Sequence, residues 1–199
     1  MRTINRSPLV RDKVRHNLYK VRKQENLMPY SPIAVANQFI ERHGAAGQID
    51  HLKLQKLTYF ADGWWLATNG APLLTVRPQV WRYGPVYPAL YGACAGHGRA
   101  PITQPIGGGP FGQEPPRVVG EEAEQVAALV DWTWDNYGSF NGIVLSDMTH
   151  APGTPWRTIA EHNNFVVPDG TVIDAQQDWQ YFAALAQQRG WPTAPFQAA

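Results

Sequence analysis

Apolar positions in the stretch HLKLQKLTYFADGWWLATN, residues 51–69, fall on two stripes rather than one. Leu54, Leu57, Phe60, Ala61 and Trp64 follow the three–four spacing of a wide buried helical face. Leu52, Tyr59 and Leu66 recur every seven residues on roughly the other side. A helix with one apolar stripe lies on the surface of a domain, whereas a helix with two is sandwiched between neighbours. The pattern predicts a central helix, capped by Asp50 and stopped by Gly70. Lys56, Asp62 and Asn69 fall near its remaining polar side.

The same reasoning places the other elements. Ser31-Pro32 is a start signal for a helix to His43, with Ala36, Phe39, Ile40 and His43 on one face and Gly44 ending it. His43 there is expected to be a satisfied, half-buried side chain. Residues 71–83 are irregular or a short strand pair, since Gln79, Trp81 and Tyr83 alternate against Val80 and Arg82. Gly84-Pro85 is punctuation, with the proline starting a helix over about 86–96 that the glycines of YGACAGHG weaken. From Pro101 to Gly120 there are five Pro and five Gly, the composition of a long surface loop, mobile unless pinned. Its three consecutive glycines lack the GK[ST] of a phosphate loop.

Residues 121–137 form a clear amphipathic pattern, with Val126, Leu129, Val130, Thr133 and Tyr137 on one face. Glu121, Glu122 and Glu124 stand at its start, where the helix dipole favours acids. Short helices follow over 142–150 and from Thr154-Pro155-Trp156. Residues 165–173 read as a small hairpin or turn. Asp174 caps a last helix to about Arg189, with Trp179, Phe182 and Ala186 facing inward, and residues 190–199 are expected to fray. At the other end, Ser7-Pro8 opens a basic helix to about Gln24. Val10, Val14, Leu18 and Val21 mark its narrow stripe, too narrow to hold a helix alone. The whole reads as a mainly α protein. A basic helical arm (1–28) precedes a compact helical domain with a small β-hairpin or short strands (29–190) and a tail (191–199).

Composition sharpens this picture in two respects. A charged fraction of 17% is low against about 25% for an average globular protein. Eight Trp, eight Tyr and seven Phe supply a rich core or a surface buried against a partner. The net charge of +1 also hides an asymmetry. Residues 1–25 carry eight Lys/Arg against two acids, and residues 26–199 carry nine against fourteen. A basic arm on a mildly acidic body makes contact of the arm with an acidic partner or nucleic acid a reading beside simple docking on the domain. One helix without a turn and second helix is no helix-turn-helix. A lone cysteine excludes an intramolecular disulfide and suits the cytosol, and no apolar run approaches the ~20 residues of a membrane span. The expected location is the cytoplasm.

Chemistry-bearing residues do not assemble a mechanism. Cys94 and His97 form a C-x-x-H pair, but zinc takes four ligands and no second cysteine exists. His150 with Asp147 could serve as a base and its orienting acid. The blander reading is that Asp147, Thr149 and His150 bond helix ends. Asp131 and Asp135 are most simply solvated. No catalytic residue, metal or cofactor is assigned, and a small cytosolic hydrolase using Cys94 or His150 stands as an alternative from another class.

Lys53, Lys56, Arg82, Tyr83 and Tyr87 admit two readings. Either Tyr83 is core and Arg82 pairs with an acid, or an exposed set on the central helix and the Gly-Pro-Val turn is a protein-docking patch. Arg11, Arg15, Arg22 and Lys23 on the arm are the other candidate partner contacts.

The segment LKLQKLTYFA followed by WRYGPVYP, with Ser146, Thr149, His150, Pro155 and Trp156 downstream, resembles the Panacea-domain family, the SocA-like and GepA-like antitoxins of bacteria and their phages. The resemblance runs over roughly residues 32–185; the basic arm and the Gly/Pro loop depart from it. It implies a type II antitoxin that neutralises a cognate toxin by direct protein–protein binding, and is not an enzyme. A variant is a proteolytic adaptor that delivers its toxin to a cytosolic protease. Nucleic-acid binding through the arm is a third reading, and no membrane contact is implied.

Overall fold

The central helix is where the pattern predicts it, and every neighbouring element is laid against it. The computed structural model describes residues 29–109 and 112–197. The expected basic helix, with Arg11, Arg15, Arg22 and Lys23, lies outside the described residues. Among those described, seven α-helices and one two-stranded hairpin follow in the order α1 (Pro32–His43), α2 (His51–Asn69), β1 (Gln79–Trp81), β2 (Gly84–Val86), α3 (Pro88–Cys94), α4 (Ala123–Tyr137), α5 (Gly142–Thr149), α6 (Pro155–His162) and α7 (Ala175–Gln188). Short 3-10 turns follow α1 and α3.

Asp50 accepts from the Lys53 N–H at the start of α2, and Gly70 closes its end at φ 77°. Between them every residue from Lys53 to Ala67 is buried, because α1, α3, α4, α5, α7 and β2 all pack on this helix. The approach of α7 is close enough that a Cβ on Gly63 would land on the Phe182 ring. The expectation of a polar side is therefore corrected. Lys56 and Asp62 are fully buried, because six partners leave the helix no solvated perimeter. Asn69, at the last turn, is only partly buried.

Proline set the starts of α1 and α6 as expected, behind the caps Ser31 and Thr154. At α3 the starting proline is Pro88 rather than the expected Pro85. Pro85 lies inside β2, opposite Val80, and α3 begins at Pro88. The reason is local: Gln55 of α2 bonds both the Tyr87 N–H (3.0 Å) and the Tyr87 carbonyl (3.4 Å), which keeps residue 87 extended. Residues 165–173 hold a turn closed by Thr171 N–H on Pro168 O, but no hairpin. Instead 171–173 flanks β1, through Val80 N–H to Thr171 O and Ile173 N–H to Pro78 O, both 2.8 Å.

The Gly/Pro-rich connection between α3 and α4 contains no helix or strand among its described residues, as its composition predicts. It is nevertheless pinned. Ile102, Ile106 and Val118 are buried, and the Asn37 side chain bonds the Ile106 N–H, the Ile106 carbonyl and the Pro116 carbonyl. His43 is partly buried, stacked on Trp134 and bonded to Asp131 at 3.0 Å. Asp131 also takes Arg42 and so is paired rather than simply solvated. The expected fraying of the tail is corrected too. Trp191 packs against Trp64 and Trp132, and the Ala194 and Gln197 N–H groups reach Ala67 O and Gly70 O at the end of α2.

Candidate functional site

The β1–β2 pairing ends at Trp81 opposite Gly84, so Arg82 and Tyr83 form a two-residue tip. Gly84 is required on two counts. Its φ of 93° disfavours any side chain, and a Cβ would overlap Thr149 Oγ1 and come within 2.9 Å of Lys56 Nζ. Behind the tip the strand is sealed: Gly84, Pro85, Val86 and Tyr87 are all buried. At the tip the opposite holds. Arg82 is exposed and Tyr83 is 55% exposed, with the Arg82 guanidinium 5.5 Å from the Tyr83 ring centroid.

Side chains from three helices hold the hairpin by its carbonyls. Trp156 Nε1 of α6 donates to Trp81 O at 2.8 Å, and Ser146 Oγ of α5 to Tyr83 O at 3.0 Å. Lys56 Nζ of α2 donates to Pro85 O at 2.8 Å, and Gln55 grips both ends of residue 87. In an extended run, carbonyls of alternate residues point to one side, so donors on one flank can take residues 85 and 87 in turn, while Ser146 takes the turn carbonyl of Tyr83. The Tyr87 hydroxyl completes the anchorage by donating to Asp62 Oδ2 at 3.1 Å.

Burial sets the electrostatics. It drags the Lys56 ammonium down to about 7, with no ion pair among the described residues to offset it. Burial likewise lowers His150 from its ordinary value, and the nearby Lys56 charge adds to the effect. The His150 ring sits edge-on to Trp156 with centroids 3.8 Å apart, and its buried Nε2 has no hydrogen-bond partner. Thr149 does bond a helix end, Oγ1 to Ser146 O at 2.7 Å. Cys94 is fully buried and its thiol is pushed up to about 12 by that burial.

The candidate residues thus separate into two sets. Arg82 and Tyr83 are at the surface, so the reading of Tyr83 as core is corrected, and Arg82 makes no ion pair among the described residues. Lys53, Lys56 and Tyr87 are buried, so the surface patch that was to include them lacks them. The physical reason is the number of elements on α2: Lys53 Nζ is drawn inward to Gly138 O at 2.6 Å, over the Trp134 ring. Outside the tip, Phe140, Ile143 and Val144 of α5 and its approach are exposed apolar residues that the sequence reading did not single out. Ile143 lies one turn before Ser146, which holds Tyr83 O, so the tip and this apolar face adjoin. A signal for them existed. In GIVLSDMTH the apolar run is longer than one buried face of so short a helix can take.

Residues of the three sequence signatures, Gln55 and Lys56, then 81–87, then Ser146, Thr149 and Trp156, meet at this one hairpin, although 101 residues separate Gln55 from Trp156. This is the arrangement of a helical domain organised around one clamped turn. The family model for antitoxin SocA-like proteins, Panacea domain, matches residues 54–157, and the chain belongs to that family. Among curated proteins it is similar to antitoxin SocA of Caulobacter vibrioides (strain NA1000 / CB15N). The two are 32% identical over 136 residues, 64% of this chain and 69% of that protein. No solved structure matches the chain. No helix among the described residues is long and apolar enough to cross a membrane.

Proposed function

We propose that this protein is an antitoxin that neutralises a cognate toxin by direct binding, and that the hairpin tip with the outer face of α5 is its docking surface. The observation that carries the reading is the exposure of Tyr83 and Arg82 on a turn whose backbone is fixed from beneath by Lys56, Ser146 and Trp156. A preorganised aromatic–arginine pair loses little freedom on association, and such residues dominate interface energetics. Ile143, Val144 and Phe140 extend the patch with apolar area. An interface of standard size, about 1,600 Å² in total, would cover the tip and mask the toxin surface beneath it.

Covalent chemistry has weak support beside this. A thiol raised to about 12 stays protonated at neutral pH, and among the described residues the buried Cys94 sulfur has no hydrogen-bond partner. His150 is wedged against Trp156. We therefore assign the protein no catalytic role.

The test is co-expression with the protein encoded by the neighbouring gene. Toxicity of that protein alone, relieved by this chain, with the two co-purifying, is the expected result. Tyr83→Ala and Arg82→Ala should each weaken the complex about tenfold or more while leaving Tm within about 2 °C, since both side chains are exposed. A harmless neighbour that forms no complex would remove the reading.

A further inference from the structure

Beside the same hairpin, between β1, α6 and the loop leading to α7, lies an open cleft of about 710 Å³. Trp81, Trp156, Phe165 and Val167 give it aromatic and apolar walls, and Arg82 and Asp169 bring one charge of each sign to it. That volume is within the usual range of binding clefts. Arg82 makes no ion pair among the described residues, whereas nearby Arg157 is already paired with Glu161 at 2.6 Å and stacks on Phe165. The cleft thus offers aromatic surface beside one cation with no ion pair among the described residues, with the Asp169 carboxylate also on its lining.

The conformation of Phe165 points the same way. Its φ is 61°, in the left-handed region, directly after Asn164 at 51°. Asn tolerates that region; Phe is a poor choice for it, and Gly would be the unstrained one. The strained geometry ends α6, through the Phe165 N–H on Ala160 O at 2.7 Å, and it leaves the ring 56% exposed at the cleft. Burial does not repay the strain, and Val166 beside it is 80% exposed. A bulky apolar residue kept in an unfavourable backbone region without being buried is better explained by a task at the surface than by the fold.

We propose that this cleft receives one large apolar side chain of the toxin, next to a toxin carboxylate that meets Arg82. The inference rests on the reading that the hairpin face binds the toxin, and it names the chemistry of the toxin segment engaged. The side chain would enter between the Trp81, Trp156 and Phe165 rings. Asp169, on the other lining element, is left for an N–H donor of the same segment.

Binding of the purified neighbour-encoded protein would be measured by calorimetry for the wild type, Phe165→Gly, Arg82→Gln and Tyr83→Ala, with Tm measured in parallel. Phe165→Gly should weaken binding at least tenfold while Tm stays the same or rises, because glycine relieves the left-handed strain. A residue with only a structural role would lower both together. Arg82→Gln should weaken binding and flatten its dependence on salt. Wild-type affinity in Phe165→Gly overturns the proposal, and if Tyr83→Ala has then lost binding, the tip reading survives alone. Loss in Phe165→Gly with wild-type affinity in Tyr83→Ala keeps the cleft and removes the tip. An Arg82→Gln variant with unchanged affinity and salt slope overturns the carboxylate. Should Phe165→Gly fold poorly, Val167→Asp, which puts a charge on the cleft wall, takes its place with the same outcomes. No complex with the wild type would overturn both readings at once.

Discussion

Lys56 carries its ammonium group into the core, where it touches Pro85 O at 2.8 Å and lies against the Cα of Gly84. Removing such a group from water disfavours its charged form, which is why its pKa falls from the ordinary 10.5 to about 7. The sign of the consequence follows from proton uptake. A depressed folded-state value means that the unfolded chain binds the proton more tightly. The stabilisation is complete above the unfolded value and is lost as pH falls through about 7. Comparing wild type with Lys56→Met in urea from pH 7 to 10 should show the wild type gaining relative stability with pH. The limiting slope is about 1.4 kcal/mol per pH unit. A difference that stays flat over that range would mean that the ammonium group finds water or an acid in solution. Gly84 and Lys56 also explain each other, since a side chain at 84 would take the space that the amine fills. Arg82 and Tyr83, one step further out, are exposed instead.

Between elements, a second buried network ties α2 to α7. Arg77, in the segment before β1, bonds Asp62 of α2 at 2.7 Å and also Asp178 in the first turn of α7. Tyr59 donates to Asp178 at 2.6 Å, Tyr87 to Asp62. Two carboxylates share one guanidinium, and burial holds Asp178 up at about 7 against the pull of Arg77. Replacing Arg77 by Met would leave both acids in the core without a cation, at a cost of about 3–5 kcal/mol. That loss should be larger at pH 8 than at pH 5. The Asp178 carboxyl, raised by burial, contributes stability when protonated and loses it as pH rises through its folded value. Chemical denaturation at the two pH values checks both the size and the sign. An equal loss at both would show that Asp178 keeps an ordinary ionisation without Arg77. The network and the hairpin clamp share Tyr87, whose main chain belongs to one and whose hydroxyl belongs to the other. Damage at Arg77 is therefore expected to reach the tip, and Tyr83-dependent toxin binding should weaken with it.

For the molecule as a whole, residues 191–197 are part of the fold. The last carbonyls of a helix have no partner within it, and here Ala67 O and Gly70 O are met by the N–H groups of Ala194 and Gln197. Trp191 fills the corner between Trp64, Trp132 and Arg189. Truncation after Gly190 should cost about 2–3 kcal/mol, less than removal of a fully buried Trp because Trp191 is only partly covered. A thermal melt of the truncated chain that matches the full-length one would show the strap to be dispensable. Sequence patterns alone determined most of the helices and several of their caps, because spacing and capping are local: Ser31, Asp50, Thr154 and Asp174 all cap as their neighbours require. The two stripes of α2 also foretold its central place, and the signature residues the family. What local pattern could not carry was the fate of polar groups within that plan. Whether Lys56 faces water or a carbonyl, whether Pro85 starts a helix or ends in a strand, and whether a Pro- and Ala-rich tail hangs free depend on partners 29 to 127 residues away. Only the assembled fold brings those partners within hydrogen-bonding reach, and that assembly left Arg82 and Tyr83 outside while it took Lys53, Lys56 and Tyr87 in.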